Sequence, residues 1–277
     1  MYILFDIGGT KTRIAFSENG KIINKSESVE TPQKILDGVL TFKDLAFKLS
    51  GGKKIKKIAI GIAGPINNER TGVANAPNLP DWNFKDIKSY FEKAFGCEVM
   101  VENDAALGAL GEAVYGEGRG YDVVGFLTVS TGIGGAKIAN KKIAPSFQGF
   151  EPGHMIIDAD RTLCPNCENP PYLENMCSGK SLIQRFKKPP KEIDNPRIWE
   201  ELALWLSYGL NNAAVLWSPE IIILGGPMIF GSPAIPFESI EKHFKEIMKV
   251  FPECPVLKIA KLKDEVGLWG GLALLNQ

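Results

Sequence analysis

The stretch Asp6-Ile7-Gly8-Gly9-Thr10-Lys11-Thr12-Arg13, set directly behind the apolar run Tyr2-Ile3-Leu4-Phe5, decides how the chain is read. The apolar run is a strand that delivers a carboxylate into a turn with almost no side chain. The two glycines let backbone N–H groups approach an anion closely, and Thr10 adds a hydroxyl donor. Apolar residues resume at Ile14-Ala15-Phe16, so the turn joins two strands of a hairpin. A carboxylate beside a phosphate-sized cradle is what a Mg-nucleotide site needs. A plain Gly-Gly hairpin turn is the competing reading of the same residues.

A second turn favours the phosphate reading. Thr128-Val129-Ser130-Thr131-Gly132-Ile133-Gly134-Gly135-Ala136 lies between the apolar stretch Val123 to Leu127 and the strand Lys137-Ile138-Ala139. Neither turn is a Walker A loop, because no Gly-Lys-Ser/Thr follows at the required spacing. Neither is a Rossmann fingerprint, because a strand follows where a helix should begin. Two phosphate-type hairpins, one in each half, predict duplicated lobes that grip one nucleotide.

The 277 residues carry 32 Lys+Arg against 32 Asp+Glu, so no net charge argues for nucleic acid or a membrane surface as partner. No apolar run is long enough to span a bilayer. Asp6 interrupts the N-terminal apolar stretch where a signal peptide would need an unbroken core, so a cytoplasmic location is expected. Three of the five cysteines fall within one short segment, and in a cytosolic chain such clustering points to metal more than to disulfides.

Alternating strand and helix signals give an α/β pattern. Strands are expected at 2–5, 13–17 and 21–28, a helix at 33–49, a strand at 57–62, a helix at 84–95, a strand at 97–101 and a helix at 104–115. Gly118 and Gly120 mark a hinge. Beyond it come hairpin strands over 123–143, an irregular insert over 145–177, a helix at 196–217 and a strand at 221–224. A helix at 235–250, a strand at 256–260 and a helix at 266–275 close the chain.

Glu102-Asn103-Asp104 follows the apolar strand Val99-Met100-Val101, and in open α/β sheets catalytic residues gather at such strand ends. Asp104 is either the N-cap of the next helix or a catalytic carboxylate, and Asn103 could be a turn residue. Phosphoryl transfer to an alcohol needs a carboxylate to receive the hydroxyl proton. It also needs Mg²⁺ on the β- and γ-phosphates, and Asp6 is the candidate that supports the ion.

Several motifs come in one order along the chain. They are Asp6–Arg13, Gly61-Ile62-Ala63-Gly64-Pro65, Asn75-Ala76-Pro77-Asn78-Leu79 with Trp82, and Glu102-Asn103-Asp104-Ala105. Ser130–Gly135, Glu151-Pro152-Gly153-His154, Leu173-Glu174 with Ser178-Gly179, Leu224-Gly225-Gly226 and the Gly267–Ala273 helix complete the series. Together they resemble the ROK family of sugar kinases, repressors and open reading frames. The resemblance implies an α/β, two-lobed actin/hexokinase-like (ribonuclease H-like) fold in which Mg-ATP and sugar meet in an interlobe cleft. It implies a small lobe over 1–117 with the closing helix 265–277 packed on it. A large lobe over 118–264 would carry a sugar and zinc insert at 145–179. A homodimer is expected.

The resemblance also implies roles. Asp104 would be the general base on the sugar hydroxyl and Asn103 would bind the same hydroxyls. Glu151, His154 and Glu174 would complete the hexose cage, approached by Gly72 and Asn78. Carboxylates and amides suit a ring of hydroxyls, each both donor and acceptor. Asp6, Gly8, Gly9, Thr10 and Lys11 would face the γ-phosphate and its Mg²⁺, with Asp6 reaching the ion through water. Thr131 and Gly132 would face the β/γ region, and Gly225 and Gly226 would line the adenosine pocket. For Glu174 a helix-first-turn carboxylate is the alternative.

In the family, the His of the Gly-His motif and three cysteines bind a structural zinc. Here Cys164-Pro165-Asn166-Cys167 is spaced more widely than the usual Cys-x-Cys, and the third family position falls on Tyr172. Either Cys177 supplies the missing thiolate, giving a His154, Cys164, Cys167, Cys177 tetrahedron, or the knuckle is metal-free. With zinc, His154 would turn one ring nitrogen to the metal and one to the sugar; without it, something else must hold the ring.

The implied activity is transfer of the ATP γ-phosphate to a hexose, first the 6-hydroxyl of glucose. N-acetylmannosamine, N-acetylglucosamine, fructose, mannose and allose are the alternative substrates. A sugar-sensing regulator is disfavoured, because only Met1 to Phe5 precede the first turn where a DNA-binding helix-turn-helix would stand.

Overall fold

A computed structural model describes residues 1–277. In chain order the elements are β1 (Tyr2–Ile7), β2 (Lys11–Ser17), β3 (Lys25–Glu30), α1 (Ile35–Ser50), β4 (Lys57–Ile62), α2 (Ile87–Phe95), β5 (Glu98–Asn103) and α3 (Asp104–Tyr115). β6 (Val123–Val129), β7 (Ile133–Ala139), β8 (Lys142–Ile143), α4 (Leu173–Cys177), α5 (Gly179–Phe186) and α6 (Pro196–Trp217) follow. β9 (Ile221–Gly225), α7 (Pro227–Phe230), α8 (Phe237–Ile247), β10 (Val256–Ile259) and α9 (Val266–Leu274) complete the chain. They form two compact units, one of Met1–Tyr115, Pro145–Gly149 and Asp264–Gln277, the other of Gly116–Ala144 and Phe150–Lys263. No helix is long and apolar enough to cross a membrane.

The first unit is built on a five-stranded sheet in the order β3-β2-β1-β4-β5. β1 pairs antiparallel with β2 and parallel with β4, and β4 pairs parallel with β5. Period-two alternation sends Ile3, Phe5 and Ile7 of β1 to one face, where they pack with Phe42, Trp82 and Phe91. Leu4 goes to the other face, with Leu268 and Leu272 of α9. One register row reads Arg13–Asp6–Gly61–Glu102 across four strands, so charged groups at the strand ends share one face of the sheet.

The second unit repeats that topology with its own strands, in the order β10-β9-β6-β7-β8. Again an antiparallel hairpin is flanked by two parallel partners. Its core joins Leu127 and Val129 of β6 to Leu202, Leu206 and Leu210 of α6 and to Phe244 of α8.

Several boundaries differ from the sequence reading, and two of the differences have a clear local cause. The third strand starts at Lys25, not residue 21, because Asn19 and Asn24 side chains bond the backbone of Lys21 and Glu18 and hold 18–24 as a loop. The helix expected from residue 84 starts at Ile87. Phe84 sits at φ 58°, outside the helical region, and Asp86 caps the helix by accepting from the Ser89 N–H at 2.9 Å.

α3, which begins at Asp104, is seated on α9 through glycines. A Cβ on Gly111 would lie 2.5 Å from the Val266 carbonyl oxygen, and one on Gly270 would overlap the Leu107 carbonyl. Gly270→Ala is therefore expected to cost about 1–3 kcal/mol by forcing the helices apart, read as a fall of several degrees in Tm. An unchanged Tm would refute this packing.

Candidate functional site

In the first unit the turn after β1 is closed by Gly8 N–H donating to the Lys11 carbonyl at 3.1 Å. Thr31 anchors it from beneath, its hydroxyl donating to the Gly8 carbonyl at 2.7 Å and its N–H to the Thr10 carbonyl at 2.9 Å. Gln33 Nε2 donates to the Gly9 carbonyl at 3.1 Å. Thr10 and Lys11 remain exposed. Gly9 faces Asn78 so closely that a Cβ would overlap the Asn78 side chain, and this close approach requires glycine.

Asp6 sits at the end of β1 with its side chain 18% exposed and Arg13 Nη1 3.5 Å away. Arg13 also reaches Asp264 at 3.4 Å. Burial, and then repulsion from Asp104, push the Asp6 carboxyl up from 3.8 to about 7, against the opposing pull of Arg13. Asp104 is likewise raised by burial. Gly267 leaves room beside Asp6, where a Cβ would come within 3.1 Å of the carboxyl carbon.

Asn103, not Asp104, takes the capping position. Its Oδ1 accepts from the Ala106 N–H at 2.9 Å, and its Nδ2 donates to the Gly64 carbonyl at 3.0 Å. Asp104, the first residue of α3, spends one carboxylate oxygen on the adjacent Ala105 N–H at 2.8 Å. The N-cap reading of Asp104 is corrected accordingly.

Glu102, buried on β5, pairs with Arg70, a contact that motif reading does not supply. Arg70 stands in the left-handed region at φ 53°, in a loop tied by Asn67. The Asn67 Oδ1 accepts from Thr71 at 2.8 Å and from Gly72 at 3.3 Å. Gly72 is buried and its carbonyl accepts from the Asn67 N–H, so it builds the loop itself. Asn78 is exposed.

In the second unit the turn after β6 is fastened from outside. Glu174 Oε2, on the short helix α4, accepts from the Ile133 N–H at 2.7 Å, and Gly132 lies against the same carboxylate. The start of α5 binds the same turn, Gly179 N–H donating to Ser130 at 2.7 Å and Lys180 N–H to Thr131 at 3.0 Å. Gly226 holds φ 90° where a Cβ would overlap the Val129 backbone, as a tight turn after β9 requires. A cavity of about 340 Å³ opens beside Ser130 and Thr131, walled by Lys180, Ile183, Pro189 and Met228. Glu151 precedes and His154 ends a 3₁₀ turn that Gly153 lets settle on Ile133 of β7.

The zinc tetrad expected from His154, Cys164, Cys167 and Cys177 is not assembled. Cys164 and Cys167 are joined in a disulfide, which removes both thiolates. Cys177 is fully buried in the core with its thiol near the Leu202 carbonyl, and burial pushes its pKa strongly up. His154 is half-exposed and faces Tyr172. No group of three or more His, Cys, Asp or Glu side chains is arranged to hold a metal. These donors do not fit a tetrahedral zinc site.

Residues 2–277 match the family model described as ROK family. The chain is 29% identical to a glucokinase of Streptomyces coelicolor, covering 98% of this chain and 96% of that protein. It is 28% identical to an N-acetyl-D-glucosamine kinase of Histophilus somni, over 99% and 98% of the two chains. The crystal structure of a ROK family glucokinase from Streptomyces griseus in complex with glucose and AMPPNP superposes with a TM-score of 0.82 at 28% identity, covering 99% of this chain and 98% of that one. The mixed α/β fold is thus of the actin/hexokinase-like class expected from the motifs.

The raised Asp6 pKa carries a stability consequence. A carboxyl whose folded-state pKa lies above its unfolded value favours the fold fully below the unfolded value, and that contribution is lost as pH rises through the folded one. Here the window runs from 3.8 to about 7. Asp6→Asn should therefore melt a few degrees above the parent protein at pH 8, by on the order of 2 kcal/mol. The gap should close near pH 4, and equal melting temperatures at both pH values would refute the assigned burden.

Proposed function

The chain belongs to the ROK family, and on that footing we propose that it is an ATP-dependent sugar kinase transferring the γ-phosphate to a hexose hydroxyl, first the 6-hydroxyl of glucose. The observation that carries this reading is the freedom of Asp104. Asn103 caps α3, which leaves at its first residue a half-buried carboxylate whose pKa burial raises. Such a group is suited to receive a hydroxyl proton as the oxygen attacks phosphorus.

The other roles are those the family resemblance implies, and donor chemistry supports them. Asn103 keeps one amide proton and one lone pair for the sugar beyond its two internal bonds. Glu151, His154 and Glu174 read the remaining hydroxyls, with one Glu174 oxygen already fixed on Ile133. Asn78 stands exposed beside the first turn. Gly8, Gly9, Thr10 and Lys11 receive the γ-phosphate. Thr131 and Gly132 face the β/γ region, and Gly225 and Gly226 line the adenosine pocket. The cavity of about 340 Å³ with walls at Ile183, Pro189 and Met228 suits a purine and favours a nucleoside donor.

Asp6 fits a role toward Mg²⁺. Burial, and then the neighbouring Asp104 carboxylate, raise its pKa against only partial compensation from Arg13, and a divalent cation would relieve that burden. When bound, that ion would neutralise charge on the β- and γ-phosphates. Near-equal identity to an N-acetyl-D-glucosamine kinase supports a second substrate reading, N-acetylglucosamine.

A coupled ADP-release assay with Mg-ATP across glucose, mannose, N-acetylglucosamine, N-acetylmannosamine, fructose and allose tests the reading. A sugar-dependent rate is expected, reduced about 10²–10⁴-fold in Asp104→Asn with ATP binding nearly unchanged. Near-normal turnover in that variant would sink the role of Asp104.

A further inference from the structure

His154 needs a holder, because an exposed imidazole reads a sugar hydroxyl only if its ring is fixed. We propose that in this chain the ring of Tyr172, with Glu151 beside it, positions His154 in place of a metal ion; what the imidazole is for rests on the sugar-kinase reading, but how it is held does not. The two rings meet edge to face, 5.0 Å between centroids at 60°. Glu151 Oε2 lies 3.6 Å from Nδ1 on the same 3₁₀ turn.

Tyr172 is itself fixed by backbone. It bridges antiparallel to Ile156, Leu173 N–H donates to the Met155 carbonyl at 2.9 Å, and Ile157 N–H donates to the Pro171 carbonyl at 3.3 Å. The segment after His154 and the segment carrying Tyr172 are thus zipped together, and the phenol ring has little freedom to leave the imidazole. Tyr172 occupies the sequence position where the family pattern places its third cysteine.

The cysteine knuckle is likewise self-sufficient. The Asp158 carboxylate accepts from the Leu163 N–H at 3.1 Å and the Cys164 N–H at 3.0 Å. Arg161 Nη2 donates to the Pro165 and Cys167 carbonyls, both at 3.0 Å. The Cys164–Cys167 disulfide closes the loop. A side-chain carboxylate, a guanidinium and a covalent link thus organise the turn that a metal would otherwise organise.

The test uses the full-length protein. The sequence has only two histidines, so ring signals of His154 are identified by difference with His243→Gln. After dialysis against a zinc chelator, the protein should contain no stoichiometric zinc, retain its glucose KM, and show NOEs between the His154 and Tyr172 rings. Tyr172→Ala should raise the sugar KM about tenfold or more with the ATP KM within twofold, whereas Tyr172→Phe should keep both near the parent values. One zinc per chain whose removal abolishes the ring NOEs would overturn the proposal, as would an unchanged sugar KM in Tyr172→Ala. Should the parent protein phosphorylate no hexose, the kinase reading fails, and the NOEs and zinc content still decide how the ring is held.

Discussion

Two half-buried carboxylates, Asp6 on β1 and Asp104 at the start of α3, set the terms for the first unit. Asp6 and Asp104 each lose hydration, and Asp6 also feels the charge of Asp104. Left alone, such groups would favour a different local structure, because ionising them in a poorly hydrated site is costly. The surroundings hold them regardless. Arg13 supplies partial compensation, Gly267 leaves space, and the glycine-mediated seat of α3 on α9 fixes where Asp104 begins. Stability given up at such a place is what a cation and a polyanion can restore on binding.

The second unit reuses the strand order but not the charge. Its turn carries Ser130 and Thr131 where the first carries an acidic strand end, and its backbone is fastened by Glu174 and by the first N–H groups of α5. One topology thus supports two different turns. The first follows a strand that carries Asp6, a carboxylate only partly balanced by Arg13. The second is a rigid hydroxyl and glycine frame beside a largely apolar cavity. Gly132 shows the cost of that rigidity, since any side chain there would strike the Glu174 carboxylate.

What the sequence discloses is mostly local. The opening turn, the Asn103-Asp104 pair and the paired glycines at 225–226 announce themselves because each is a short run whose chemistry depends on its own backbone. Long-range partners stay silent. Thr31 and Gln33 steady the first turn from a different segment, and Arg70 meets Glu102 across 32 positions. Thr31, Gln33 and Arg70 lie outside every motif. The sequence points to Asp104 as the cap and Asn103 as a turn residue, but asparagine and aspartate cap equally well, and only the backbone direction at the end of β5 gives the role to Asn103. The cysteine cluster misled for a related reason. Cys-x-x-Cys spacing suits both a metal and a disulfide, and Tyr172 at the third family position was the signal that the metal set was incomplete.

On the proposed kinase function, binding of a Mg-nucleotide strips from Asp6 the proton that burial and Asp104 favour. Calorimetric titration of the protein with a preformed, non-hydrolysable Mg–ATP analogue, repeated in buffers of different ionisation enthalpy, counts the protons exchanged on binding. With a carboxyl near pH 7, about half a proton should be released at pH 7 and none by pH 9. Binding with no proton release at pH 7, or with uptake, would contradict the account.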